Sequence, residues 1–216
     1  MSRRWLSERR RDPYHRMAKQ QGYRSRASFK LKQLNDRFGF LKDAKYILDL
    51  GAAPGGWLQV ASEEVGEDGL IIGVDLKKIN PFDVENVRTL VGDITDDKTL
   101  EQIRDTFPGK FDVILSDLSP NVSGIWEMDH LRQIYLAEKT LSIAEVVLKN
   151  DGWVVVKVFQ GSDYDKFLDE VKGRFSFVKV VKPRSSRKKS AEIYIVARGL
   201  KKDRNIGSTL HVSGLD

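Results

Sequence analysis

Residues 46–57 read Tyr46-Ile-Leu-Asp-Leu-Gly-Ala-Ala-Pro-Gly-Gly-Trp57, an apolar run that breaks into a glycine-rich turn. A short apolar run bounded by glycine predicts a strand buried on both faces. The turn from Asp49 to Trp57 must bring backbone close to a ligand before a helix begins at about Gly55. Gly51, Gly55 and Gly56 suit that approach because they carry no side chain.

Working outward, the first strand covers about 46–51, and further runs rich in Val, Ile and Leu recur at about 70–76, 87–93, 111–117, 152–159, 175–182 and 191–198. Segments of helical period fill the gaps. The clearest is 127–149, where Leu131, Ile134, Ala137, Leu141, Ala144 and Leu148 make one apolar stripe. This alternation predicts an α/β, Rossmann-like architecture, a seven-stranded and mostly parallel sheet with helices on both faces. The loop Lys182-Pro-Arg-Ser-Ser-Arg-Lys-Lys-Ser190 is too short for a crossover helix, so the last two strands should form an antiparallel hairpin.

The chain has 216 residues, enough for one substantial core, and no cysteine. Disulfide frameworks, thiolate zinc sites and thiolate nucleophiles are thereby excluded. His15, His130 and His211 show no ligand-like spacing, so no metal is expected. No apolar run is long enough to span a bilayer and the first residues lack the apolar core of a secretion signal, which predicts a cytoplasmic protein.

The net charge of +6 is unevenly spread. Residues 1–26 hold nine Lys/Arg against Glu8 and Asp12, residues 179–189 hold six against no acid, and the remainder is net acidic. Two basic segments on an otherwise acidic chain suit a phosphate-backbone partner such as RNA, the alternative being ordinary solvated charge. Trp5, Tyr14, Tyr23 and Phe29, interleaved with the first segment, could stack on bases or simply pack.

Asp75 ends the second expected strand, where a carboxylate can accept from both hydroxyls of a ribose, and Asp93 ends the third, where it could accept from an adenine amino group. Each acid alone is more often a turn or cap residue. Together with the glycine turn they place three ligand-facing features at one sheet edge, which suits an adenosine with a small charged tail. A dinucleotide site is the rival reading, but its fingerprint wants glycine where Ala53 stands.

The fourth strand ends Ser116-Asp-Leu-Ser-Pro-Asn121. It lacks the Pro-Pro-aromatic signature of amino-group methylation, and base-carbon methylation usually needs a cysteine, so a hydroxyl is the more plausible acceptor. The segments Tyr23–Leu31, Leu48–Trp57, Ser116–Pro120, Val155–Phe159, Lys182–Arg187 and Ser190–Tyr194 together resemble the FtsJ/RrmJ (RlmE) family of ribosomal RNA ribose 2′-O-methyltransferases over nearly the whole chain.

That resemblance implies S-adenosylmethionine as cofactor, held by Gly51, Gly55, Gly56, Trp57, Asp75, Asp93 and Asp117, and a catalytic Lys30, Asp117, Lys157 and Glu192. It implies a uridine ribose of large-subunit rRNA within the ribosomal particle as substrate; tRNA is the alternative within the same chemistry. An RNA-binding assembly factor using the fold as a scaffold is the alternative outside it. The implied division is a basic N-terminal arm at 1–24, a methyltransferase domain at 25–200 and a polar tail at 201–216. Lys157 interrupts an apolar strand, which is costly unless a counter-charge receives it. An ion pair with Asp117 would meet that cost as a purely structural device. Beside a second cation and partly desolvated, such a lysine favours its neutral amine, which could accept a hydroxyl proton.

Overall fold

The computed structural model describes residues 12–201. Trp5, Arg9, Arg10, Arg11, His211 and the tail from 202 onward lie outside the described residues. Seven strands form one sheet: β1 (Tyr46–Leu50), β2 (Leu70–Asp75), β3 (Val87–Val91), β4 (Phe111–Ser116), β5 (Leu148–Phe159), β6 (Phe175–Val181) and β7 (Glu192–Leu200). Their order is β3-β2-β1-β4-β5-β7-β6. The pairings from β3 across to β5 are parallel, whereas β7 runs antiparallel to both β5 and β6, as the short connecting loop requires.

Among the described residues six helices flank the sheet: α1 (Pro13–Gln20), α2 (Ser28–Phe38), α3 (Gly56–Val65), α4 (Asp97–Thr106), α5 (Trp126–Val147) and α6 (Tyr164–Arg174). Strand side chains alternate between two cores. Leu48, Leu50, Val154, Val156 and Val158 join α4, α5 and α6 on one face. Ile47, Val155, Tyr194 and Val196 join α2 and α3 on the other. By the same alternation Asp49, Lys157 and Glu192 belong to the α2–α3 face, so the charged residues of three strands share one side of the sheet.

The expected stripe on α5 needs one correction. Ile134, Ala137, Leu141 and Ala144 are buried and Leu148 opens β5, but Leu131 is 54% exposed. The buried face at this end of the helix runs instead through His130 and Gln133. Both are held by the sheet's rim: Gln133 Nε2 donates to the Lys157 carbonyl at 2.9 Å, and His130 Nε2 accepts from the Asp163 N–H at 3.0 Å. The helix begins where β5 ends, with Trp126, its first residue, stacked on Phe159, the last residue of β5, at 6.1 Å between ring centroids, so its first turns lie beside the polar groups at the end of that strand.

Tyr14, Tyr23 and Phe29 pack on one another, with ring centroids 5.6 and 5.7 Å from Phe29. They fasten α1 to α2.

Candidate active site

The strand order reverses at β1, with β2 on one side and β4 on the other, and in open sheets of this kind ligands bind at such a point, in the crevice beyond the carboxyl ends of the strands. Gly51 directly follows β1 at φ +80°, and a Cβ added to it would come within 2.8 Å of the Leu118 side chain. Its bare backbone thus lets the loop after β4, which carries Asp117, close onto the turn after β1.

The far side of that turn is packed by protein. A Cβ at Gly55 (φ +108°) would meet the Phe82 ring at 2.7 Å, and one at Gly56 would meet the hydroxyls of Ser25 and Ser28. Ser28 Oγ donates to the Gly56 carbonyl at 2.9 Å, and Trp57 Nε1 donates to the Ala27 carbonyl at 2.8 Å. Trp57 is itself buried against Tyr194. Arg24 lies over Phe82 and donates to the carbonyls of Asn80 and Pro81. These bonds dock the start of α2 onto the glycine turn and so deliver Lys30 to the crevice.

Asp75 accepts the Ala53 N–H at 2.9 Å on one oxygen and the Lys77 N–H at 2.8 Å on the other. Asp93 is exposed and accepts from the backbone and hydroxyl of Thr95 on a single oxygen. Both acids thus order their own turns. Asp49 is different: it is 1% exposed, and neither carboxylate oxygen has a hydrogen-bond partner. Burial, with Asp117 and Asp75 nearby, pushes its carboxyl well above the usual carboxylate range.

Lys30, Asp117, Lys157 and Glu192 come together as two ion pairs. Lys157 Nζ lies 3.0 Å from Asp117 Oδ1, and Lys30 Nζ lies 2.7 Å from Glu192 Oε1. Tyr194 joins them, its hydroxyl donating to Asp117 Oδ1 at 2.7 Å and lying 3.4 Å from Glu192 Oε1. Burial alone would raise the Asp117 carboxyl, but Lys157, Lys30 and the Tyr194 hydrogen bond hold it below its ordinary value. The Tyr194 phenol is pushed well above its usual range by burial and by Asp117 and Glu192, so it stays a neutral donor. The antiparallel register explains the assembly: Lys157 lies opposite Tyr194, and Phe159 opposite Glu192. Only a reversed β7 puts its first residues beside the last residues of β5.

Residues 23–200 match the FtsJ-like methyltransferase family. The chain belongs to that family. Proteins called ribosomal RNA large subunit methyltransferase E are similar to it: the one from Methanothermobacter thermautotrophicus is 48% identical, over 93% of this chain and 95% of its own. The one from Methanocaldococcus jannaschii is 48% identical, over 91% of this chain and 81% of its own. A crystal structure of a ribosomal RNA methyltransferase from Plasmodium falciparum superposes with TM-score 0.73 at 32% identity, covering 82% of this chain and 98% of that one. This FtsJ-like enzyme is a methyltransferase on a Rossmann-like sheet, and its chemistry uses a methyl donor.

Sequence reasoning passed over three residues that the structure places at this candidate site. Asp49 interrupts the buried strand Tyr46–Leu50 just as Lys157 interrupts β5, so the same test of a charge in an apolar run would have found it. Tyr194 reads as an ordinary β-strand aromatic, and nothing in its local sequence announces the bridge. Ser119 accepts from Lys157 Nζ at 2.6 Å and lies in a loop whose shape depends on the close approach at Gly51.

Proposed function

We propose that this protein transfers a methyl group from S-adenosylmethionine to a ribose 2′-hydroxyl of RNA, at a uridine of large-subunit (23S) rRNA, in the cytoplasm. The observation that carries the reading is the pair of ion pairs bridged by Tyr194, set against the loop that closes on Gly51. The residues present fit the cofactor. Asp49 offers two unpartnered buried oxygens near Asp75 and Asp117, and a cationic ligand there would relieve the burial and like-charge repulsion that raise its carboxyl. Asp75 and Asp93 keep lone pairs free for ribose hydroxyls and an adenine amino group, and Gly51, Gly55, Gly56 and Trp57 shape the turn between them.

When bound, S-adenosylmethionine supplies an electrophilic methyl carbon. The chain's residues orient the acceptor and manage its proton. Lys157 is the group that takes up the 2′-hydroxyl proton, with Asp117 fixing its amine. Lys30, held by Glu192, offers its remaining N–H groups to the sugar oxygens. Orientation of this kind can contribute roughly 7–11 kcal/mol to lowering a barrier.

RNA would be docked by the arm at residues 1–24 and by the loop 182–190. Lys182, Arg184, Arg187, Lys188 and Lys189 are exposed there while Ser185 and Ser186 are buried. Ser186 Oγ donates to Glu192 Oε1 at 2.9 Å, so the basic loop is tied directly to the site. Arg26 supports the loop by donating to the Ser185 carbonyl and pairing with Asp12.

The test is to incubate the protein with methyl-labelled cofactor and either large ribosomal subunits or tRNA, then map the nucleotide that gains resistance to alkaline cleavage. Label at a 2′-oxygen of rRNA is the expected outcome. Label on tRNA alone overturns the substrate, and RNA binding without label favours a scaffold role.

A further inference from the structure

Lys157 is buried, and its amine has three partners: the Asp117 carbonyl at 2.7 Å, Ser119 Oγ at 2.6 Å and Asp117 Oδ1 at 3.0 Å. An ammonium has three N–H donors, so these partners use the cation completely and leave nothing for a substrate. A neutral amine has two N–H donors and one lone pair. The Asp117 carbonyl and carboxylate can only accept; a hydroxyl can turn and donate. Ser119 is therefore the one member of the cage that can follow a change in the proton count on Lys157, and it is also the exposed one.

The other groups around the amine cannot take its place. The Tyr194 hydroxyl on β7 is buried and commits its proton to Asp117 Oδ1. Glu192 on β7 and Lys30 on α2 pair with each other, and neither carboxyl oxygen of Asp49 on β1 bonds the amine. We propose that Ser119 is a proton relay between the acceptor 2′-hydroxyl and Lys157, a further catalytic residue resting on the ribose-methylation reading above. The 2′-O–H bond breaks as its proton passes to Ser119 Oγ, while the hydroxyl proton of Ser119 passes to Lys157 Nζ. The electron pair left on the 2′-oxygen forms the bond to the methyl carbon, and the pair of the broken carbon–sulfur bond stays on sulfur. Ser119 ends unchanged, and Lys157 ends as an ammonium that returns its proton to solvent before the next turnover.

Two measurements on wild-type, Ser119→Ala and Ser119→Thr proteins test the relay. In single turnover, Ser119→Ala should slow transfer by about 10-fold or more while changing RNA and cofactor affinity by less than about twofold, and Ser119→Thr should recover most of the rate. An NMR titration of the Lys157 side chain reads the contact without turnover. Its midpoint should fall in Ser119→Ala, because a hydroxyl bonds a cation more strongly than a neutral amine. More neutral lysine with slower transfer is a combination that a packing defect does not produce. A wild-type rate in Ser119→Ala, an unmoved midpoint, or a threonine variant as slow as the alanine one overturns the relay alone. Absence of 2′-O-methylation by the wild-type protein overturns the ribose reading and the relay with it.

Discussion

The two halves of the sheet edge are built on different principles. From β1 to β3, the acids after β2 and β3 bond within their own turns, Asp75 to Lys77 and Asp93 to Thr95, and the glycine turn is fixed to the start of α2 and to Asp75 by single hydrogen bonds. From β4 to β7, the charged cluster draws Lys30, Asp117, Lys157 and Glu192 from four distant segments and joins them through Tyr194. The first half is a set of turns joined by single bonds, with carboxylate lone pairs left over for a ligand. The second exists only when the whole sheet is assembled, so damage there should separate chemistry from binding.

The sharpest test of that contrast is Lys157→Ala. Transfer should fall by about 10²–10⁴-fold or more, as for loss of a positioned acid–base group, with cofactor affinity by calorimetry nearly unchanged. Near-normal turnover would remove Lys157 from the reaction and erase the distinction. On the other half, Gly55→Ala forces a side chain into φ +108° against Phe82. It should cost about 1–3 kcal/mol in thermal unfolding and weaken cofactor binding and turnover together. An unaltered melting temperature would mean that the turn relaxes freely.

Asp49 probes the boundary between the halves. Its folded carboxyl is raised, so the proton is held more tightly in the folded protein than in the unfolded chain. Stability is then fully present below the unfolded value of about 3.9 and declines as pH rises from there toward the folded value. Asp49→Asn should remove that decline, seen as urea midpoints that differ less between acidic and neutral pH than in the wild type; an equal slope in both proteins would mean Asp49 is not the source. The smallest expected effect is that of Tyr194→Phe. Losing the hydroxyl that donates to Asp117 should cost about 1 kcal/mol in denaturant unfolding and slow transfer while cofactor affinity holds. A change in cofactor affinity instead would show that the bridge serves the donor half.

The fold was legible because its signals are short-range. Alternating apolar runs, helical period and the length of the 182–190 loop announce seven strands and a final hairpin, and each strand lies where the pattern puts it. Leu131 was misread because helical period tells which residues align on a helix but not which of its faces the rest of the chain covers at each end. Lys157 was legible as a cation in an apolar strand, and the resemblance put its three partners beside it.

The sequence alone determined the architecture and the glycine turn, since period and turn chemistry reside in neighbouring positions, and its resemblance to the family named the four charged residues. The tertiary structure decided what those residues touch. The reversed β7 sets Tyr194 opposite Lys157, the bare backbone at Gly51 admits the Asp117 loop, and the docked start of α2 carries Lys30 inward. Such contacts depend on strand order and direction across the whole chain, and no local stretch encodes them.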